Sequence, residues 1–270
     1  MSFAQTVILA AFAGGTIFLG LPVGRLRGLS RNWQATLTTA AAGVILFLIY
    51  DVLNQAVEPV STALEAARNG SESPARFGGY AAALGLSVAF GLLSVTYVTT
   101  KVAARQRAPQ GTGVGTGIGI SPRQVALGTA IGLGLHNFSE GLAIGQSAAT
   151  GATTFALLLV VGFAMHNATE GFAISAPLSQ GERPTWRFLA GAGLVGGGPT
   201  FLGGVAGYAF VSPVLSILFL GLAAGALIFV FNEMVSVARR FSLPMVTGTA
   251  LTIGLLAAFA TDFVLTAAGS

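Results

Sequence analysis

Only two histidines occur in 270 residues, and each opens a copy of one short pattern: HNFSEG at 136–141 and HNATEG at 166–171. In both copies a glutamate follows four positions later. Imidazole nitrogen and carboxylate oxygen are donors suited to zinc, iron(II), manganese and similar divalent ions. On a helix, positions i and i+4 lie one above the other on a single face. His136 and Glu140 therefore point the same way, and so do His166 and Glu170. Asn137 and Asn167 place a carbonyl oxygen one position round each helix. The copies agree further, since Gly141 and Gly171, Ala143 and Ala173, and Ile144 and Ile174 recur at the same offset. Two imidazoles and two carboxylates make one candidate metal centre.

The elements that must position these groups are membrane helices. Hydrophobic residues make up 53% of the chain and charged residues 8%, against about a quarter charged in soluble domains. Mean hydropathy is +0.79. An apolar run of about 20 residues crosses the hydrocarbon core as a helix. Eight such runs are read, roughly at 4–24, 33–57, 78–101, 122–147, 152–178, 187–210, 213–238 and 244–267. They are too long and continuous for the alternating ten-residue segments of a membrane barrel. The fold class expected is an all-α polytopic membrane protein, a single transmembrane domain over 1–270. Residues 102–121 read as a flexible Gly/Thr-rich linker. The sixth run, rich in glycine with one proline, reads as the least regular. The chain has no cysteine, which excludes disulfides and thiolate metal sites. The GTGVGTGIG stretch lacks the preceding strand of a nucleotide loop. Net charge is +4, but the basic residues sit in short loops between spans, so topology accounts for them better than nucleic acid does.

Arg25, Arg27, Arg31, Lys101, Arg105, Arg107, Arg123, Arg183, Arg187, Arg239 and Arg240 fall on one side of the eight spans, and only Arg68 and Arg76 on the other. The excess of Lys and Arg marks the cytoplasmic side. Both termini are therefore expected outside the cytoplasm, in the plasma or inner membrane, with the 102–121 linker inside. The fourth and fifth spans, joined by a few residues, are expected to be antiparallel neighbours with both His–Glu pairs near mid-membrane. Five of nine acidic residues lie within spans: Asp51, Glu140, Glu170, Glu233 and Asp262. Ionisable groups at that depth cost about 2.5–3.5 kcal/mol each on insertion scales and usually mark ion pathways. A bound divalent cation offsets that cost. Asp51, toward the outer end of span 2, and Glu233, toward the inner end of span 7, would extend a pathway on either side.

HNFSEGLAIG and HNATEGFAIS resemble the fourth- and fifth-helix signatures of the ZIP (ZRT/IRT-like) family of divalent metal transporters, closest to its prokaryotic GufA-like branch. AFAGGTIFLGLPVGRL and AAAGVILFLIYDVL are similar to family patterns in the first two helices. The resemblance covers essentially the whole chain. It implies eight helices with inverted three-helix repeats around helices 4 and 5. It implies uptake of divalent cations toward the cytoplasm, zinc first, with iron, manganese, cobalt or cadmium accepted by many members. The family's central ligands carry over onto His136, Glu140, His166 and Glu170. The metal is then cargo rather than a resident cofactor, the partners are that ion and the lipid bilayer, and a homodimer is compatible with the pattern. Two departures stand out. Ser139 and Thr169 occupy positions where many members have proline. Gly197-Gly198-Pro199 carries no carboxylate where many have a helix-6 glutamate for a second ion. One well-formed site is therefore expected, with Asn137 and Asn167 offering at most a weak second one.

Two rival readings carry less support. A membrane metalloenzyme would use Glu-x-x-His or His-Glu-x-x-His spacing, and neither occurs. A non-transporting metal-binding bundle would suit a sensor only with a soluble output domain, and no such domain is read in these residues.

Overall fold

The computed structural model describes the backbone of residues 1–106, 121–180, 183–210 and 212–267. The side chains of 98–100, 102–106, 158, 166, 180 and 264–266 fall outside the described residues. Among the described residues the regular structure is all helical. The α-helices are α1 (Phe3–Gly15), α2 (Arg31–Arg68), α3 (Pro74–Gln106), α4 (Pro122–Ala149), α5 (Thr153–Ser175), α6 (Trp186–Ala209), α7 (Pro213–Arg240) and α8 (Pro244–Ala267). Seven segments are long and apolar enough to cross a membrane, which makes this a helical membrane protein. The eighth helix, α4, is 28 residues long with seventeen of them buried. It falls short in hydropathy because it carries His136, Asn137, Glu140 and several glycines, and protein rather than lipid surrounds most of it.

Start signals explain several boundaries. Ser121 caps α4 with Gln124 reciprocating, and Pro122 follows in the first turn, where its missing N–H costs nothing. Thr185 and Ser212 cap α6 and α7 in the same manner. The α4–α5 connection is only residues 150–152, with Gly151 at φ 83°, so the two helices run antiparallel as expected.

Four expectations need correction. The first span is not one helix: after Gly15 it continues as 3₁₀ turns over Thr16–Leu19 and Leu21–Arg25. Pro22 cannot continue the ladder, and Thr16 Oγ1 donates sideways to the Ala164 carbonyl on α5 at 2.6 Å. The second span runs on to Arg68 through Pro59, 38 residues in all, or about 57 Å, so Glu58 and Glu65 stand on helix rather than loop. The linker expected at 102–121 lies mostly outside the described residues, but its first five residues continue α3. The sixth span is an unbroken helix of 24 residues despite Pro199.

Close packing sorts the helices into two bodies. A Cβ added at Gly141 would meet the Thr200 carbonyl, one at Gly145 the Gly204 carbonyl, and one at Gly171 the Ile17 carbonyl. Together with Gly14 against Gly197, these contacts weld α1, α4, α5 and α6 backbone to backbone. In the same way Gly43 and Gly254 join α2 to α8, and Gly91, Gly221 and Gly225 join α3 to α7. Small residues permit this approach in membranes, where packing rather than water expulsion holds helices together. Between the bodies the main contacts are α4–α7 and α5–α8. There the atoms nearest a Cβ at Gly132 belong to Ala226 and Leu227, at 3.3 Å and beyond. Besides each other, α4 packs closely on α6 and α5 on α1.

Candidate metal centre

At the middle of the first body, α4 presents His136 and Glu140 one turn apart, as the i, i+4 spacing requires. Both are buried, at 0% and 3% exposure, and Nε2 of the imidazole lies 3.4 Å from Oε1 of the carboxylate. Glu170 on α5 is fully buried beside them. One donor atom from each of His136, Glu140 and Glu170 lies within 4.8 Å of the other two. Donors around a tetrahedral zinc at about 2.0–2.2 Å sit about 3.5 Å apart, so modest rotamer changes close the remaining gap. His166 occupies the α5 turn before Glu170, but its side chain lies outside the described residues.

The asparagines of the two motifs are exchanged between the helices. Asn137 Nδ2 on α4 lies 2.7 Å from Glu170 Oε2 and 2.7 Å from Asn167 Oδ1, both on α5. It also reaches the Gly196 carbonyl of α6 at 3.0 Å. In return Asn167 Nδ2 reaches Glu140 Oε2 at 3.5 Å and the Phe163 carbonyl at 2.8 Å. Each motif thus supplies the amide that orients the other motif's carboxylate. At metal sites, hydrogen bonds donated to the ligands by neighbouring side chains fix the ligands' direction. Asn137 Oδ1 has no hydrogen-bond partner among the described residues, whereas Asn167 Oδ1 is engaged. A ligand role for the amide oxygens therefore fits Asn137 and not Asn167.

The all-glycine stretch before Pro199 explains how α6 comes so close. Pro199 leaves the Val195 carbonyl without its i+4 donor, and Asn137 reaches the backbone of this stretch at the Gly196 carbonyl. The remaining sequence candidates lie outside the three-residue group. Glu233 on α7 is buried at 2% exposure, and its Oε2 has no hydrogen-bond partner among the described residues. Asp51 on α2 is half-buried and accepts from Gln55 Nε2 at 2.7 Å. Asp51 is still within electrostatic reach of His136, Glu140 and Glu170.

Sequence reading passed over Asn54 and Gln55, and it left Glu58 in a loop. The spacing 51, 54, 55, 58 is a helical stripe that would have revealed them had the helix been carried past 57. No family model matches this chain, and no curated protein matches it.

Proposed function

We propose that this protein is a ZIP-type transporter that carries a divalent transition-metal ion, zinc first, across the membrane toward the cytoplasm. One observation carries the reading: two buried carboxylates and a buried imidazole converge within 4.8 Å inside a helical membrane protein. Such a set is costly when empty and favourable around a dication. The duplicated HNxxEG motifs supply it from antiparallel helices, the arrangement of a midplane carrier site. His166 is the fourth ligand in this reading, and the eighth membrane span is α4.

Helix pairing supports the inverted repeats. Exchanging α1–α3 with α6–α8, and α4 with α5, turns the α2–α8 contact into α7–α3 and the α4–α6 contact into α5–α1, and all four contacts exist. The ligands ride on the α1–α4–α5–α6 body, so access alternates when that body shifts against α2, α3, α7 and α8. The cation then passes from the Asp51 side to the Glu233 side, with both termini outside the cytoplasm.

Isothermal titration of the purified protein with zinc tests the site. One ion per chain should bind, and Glu140→Gln with Glu170→Gln should abolish it. A double variant that still bound zinc with unchanged affinity would overturn the reading. Competition for uptake among zinc, iron(II), manganese and cadmium would then rank the cargo.

A further inference from the structure

A second polar feature lies one to two helical turns along α2 from Asp51. There α2, α4 and α7 enclose a cavity of about 320 Å³. Its polar wall is Asn54, Gln55 and Glu58 of α2, Ser139 and Gln146 of α4, and Ser216 of α7. Every one of these side chains offers oxygen, and none is basic. The only charge on the wall is the Glu58 carboxylate, with Asp51 held just behind by its bond from Gln55.

Ser139 is the telling residue. It is 6% exposed, it lines the cavity, and its Oγ has no hydrogen-bond partner among the described residues. Buried hydroxyls are normally satisfied, so this one calls for something polar within the cavity. Ser139 immediately precedes Glu140 on α4, so the cavity wall includes the residue next in sequence to a member of the metal centre. Asn54, Gln55 and Glu58 are exposed, so the other end is open. The volume holds an ion with six waters at about 30 Å³ each.

We propose that this cavity is a receiving site, led by Glu58, that holds a still-hydrated divalent cation beside the His136–Glu140–Glu170 centre. Its place ahead of that centre rests on the transport reading, whereas the binding itself does not. Oxygen-only donors around a hydrated ion suit calcium, magnesium and manganese as well as zinc. The receiving site therefore admits divalent cations by charge, and discrimination falls to the imidazole-containing centre. The cavity is walled by α2 and α7 of one body and α4 of the other, so movement between the bodies reshapes it.

Electron paramagnetic resonance of manganese(II) added to the purified, zinc-loaded protein tests this without any flux measurement. A weak manganese population should persist beside the zinc, calcium should displace it, and Glu58→Gln should weaken it about tenfold. The same population should appear in the Glu140→Gln/Glu170→Gln protein without zinc. Manganese that fails to bind in both preparations, or that binds Glu58→Gln as it binds the wild type, overturns the proposal. A wild-type protein that bound no zinc yet kept the calcium-sensitive manganese would instead count against the central site alone.

Discussion

At the scale of single residues, the exchange of asparagines between the two motifs gives HNxxEG its meaning. Asn137 holds Glu170, Asn167 holds Glu140, and the two amides touch each other. Removing Asn137 leaves Glu170 without that donor and the Asn167 carbonyl without its partner. Asn137→Ala should therefore weaken zinc binding about 10–100-fold, read by calorimetric titration, while the protein stays folded. Proton competition is a second consequence, because imidazole and carboxylate must shed protons to hold metal. Affinity should fall steadily on acidification from about pH 8 to about pH 5.5; a flat titration would remove His136 from the ligand set. The donor types and their i, i+4 spacing were legible in the sequence, since both follow from helix geometry. The asparagine roles were not, because cross-helix hydrogen bonding depends on the rotation of α4 against α5, and no local pattern sets that rotation.

At the scale of elements, glycine decides how near the ligand helices can come. Gly141 sits one position after Glu140 with its α-carbon against Thr200 and Gly203 of α6, and Gly171 bears the same relation to Ile17 and Gly20. The glycine that ends each motif is thus a packing residue for the helix behind the site. Gly141→Val or Gly171→Val should destabilise the protein by about 1–3 kcal/mol or more. Thermal unfolding in detergent measures it, with Gly198→Ala as the control, since a Cβ there meets nothing within 4 Å. A Gly141→Val protein as stable as the wild type would show that α4 and α6 do not touch as described. Spans 3, 4, 7 and 8 were legible to within a few residues of their core, because long apolar runs between basic loops leave few alternatives. The first span misled because composition cannot show that the α-helix gives way to 3₁₀ turns after Gly15. The second misled because its polar C-terminal stretch, residues 58–68, looks like a loop in sequence although α2 continues through it to Arg68. The sixth misled in the opposite sense: its glycines mark close contact with α1 and α4 rather than irregularity.

At the scale of the molecule, the two glycine-welded bodies meet mainly along α4–α7 and α5–α8, and the transport proposal requires them to move against each other there. Gly132 on α4 and Ala226 on α7 face each other there, at 3.3 Å between the Cβ positions, close to the 3.5–4.5 Å that a disulfide spans. The chain has no native cysteine, so Gly132→Cys with Ala226→Cys provides a clean cross-link. Oxidation should arrest transport, reduction should restore it, and zinc should still bind the locked protein. Transport that continues after complete cross-linking would exclude relative motion of the bodies. The most direct measurement of the central claim is zinc influx into proteoliposomes, wild type against His136→Ala with His166→Ala. Wild-type vesicles should accumulate zinc and the double variant, folded and inserted to the same extent, should not. Equal accumulation by both would contradict transport through this centre.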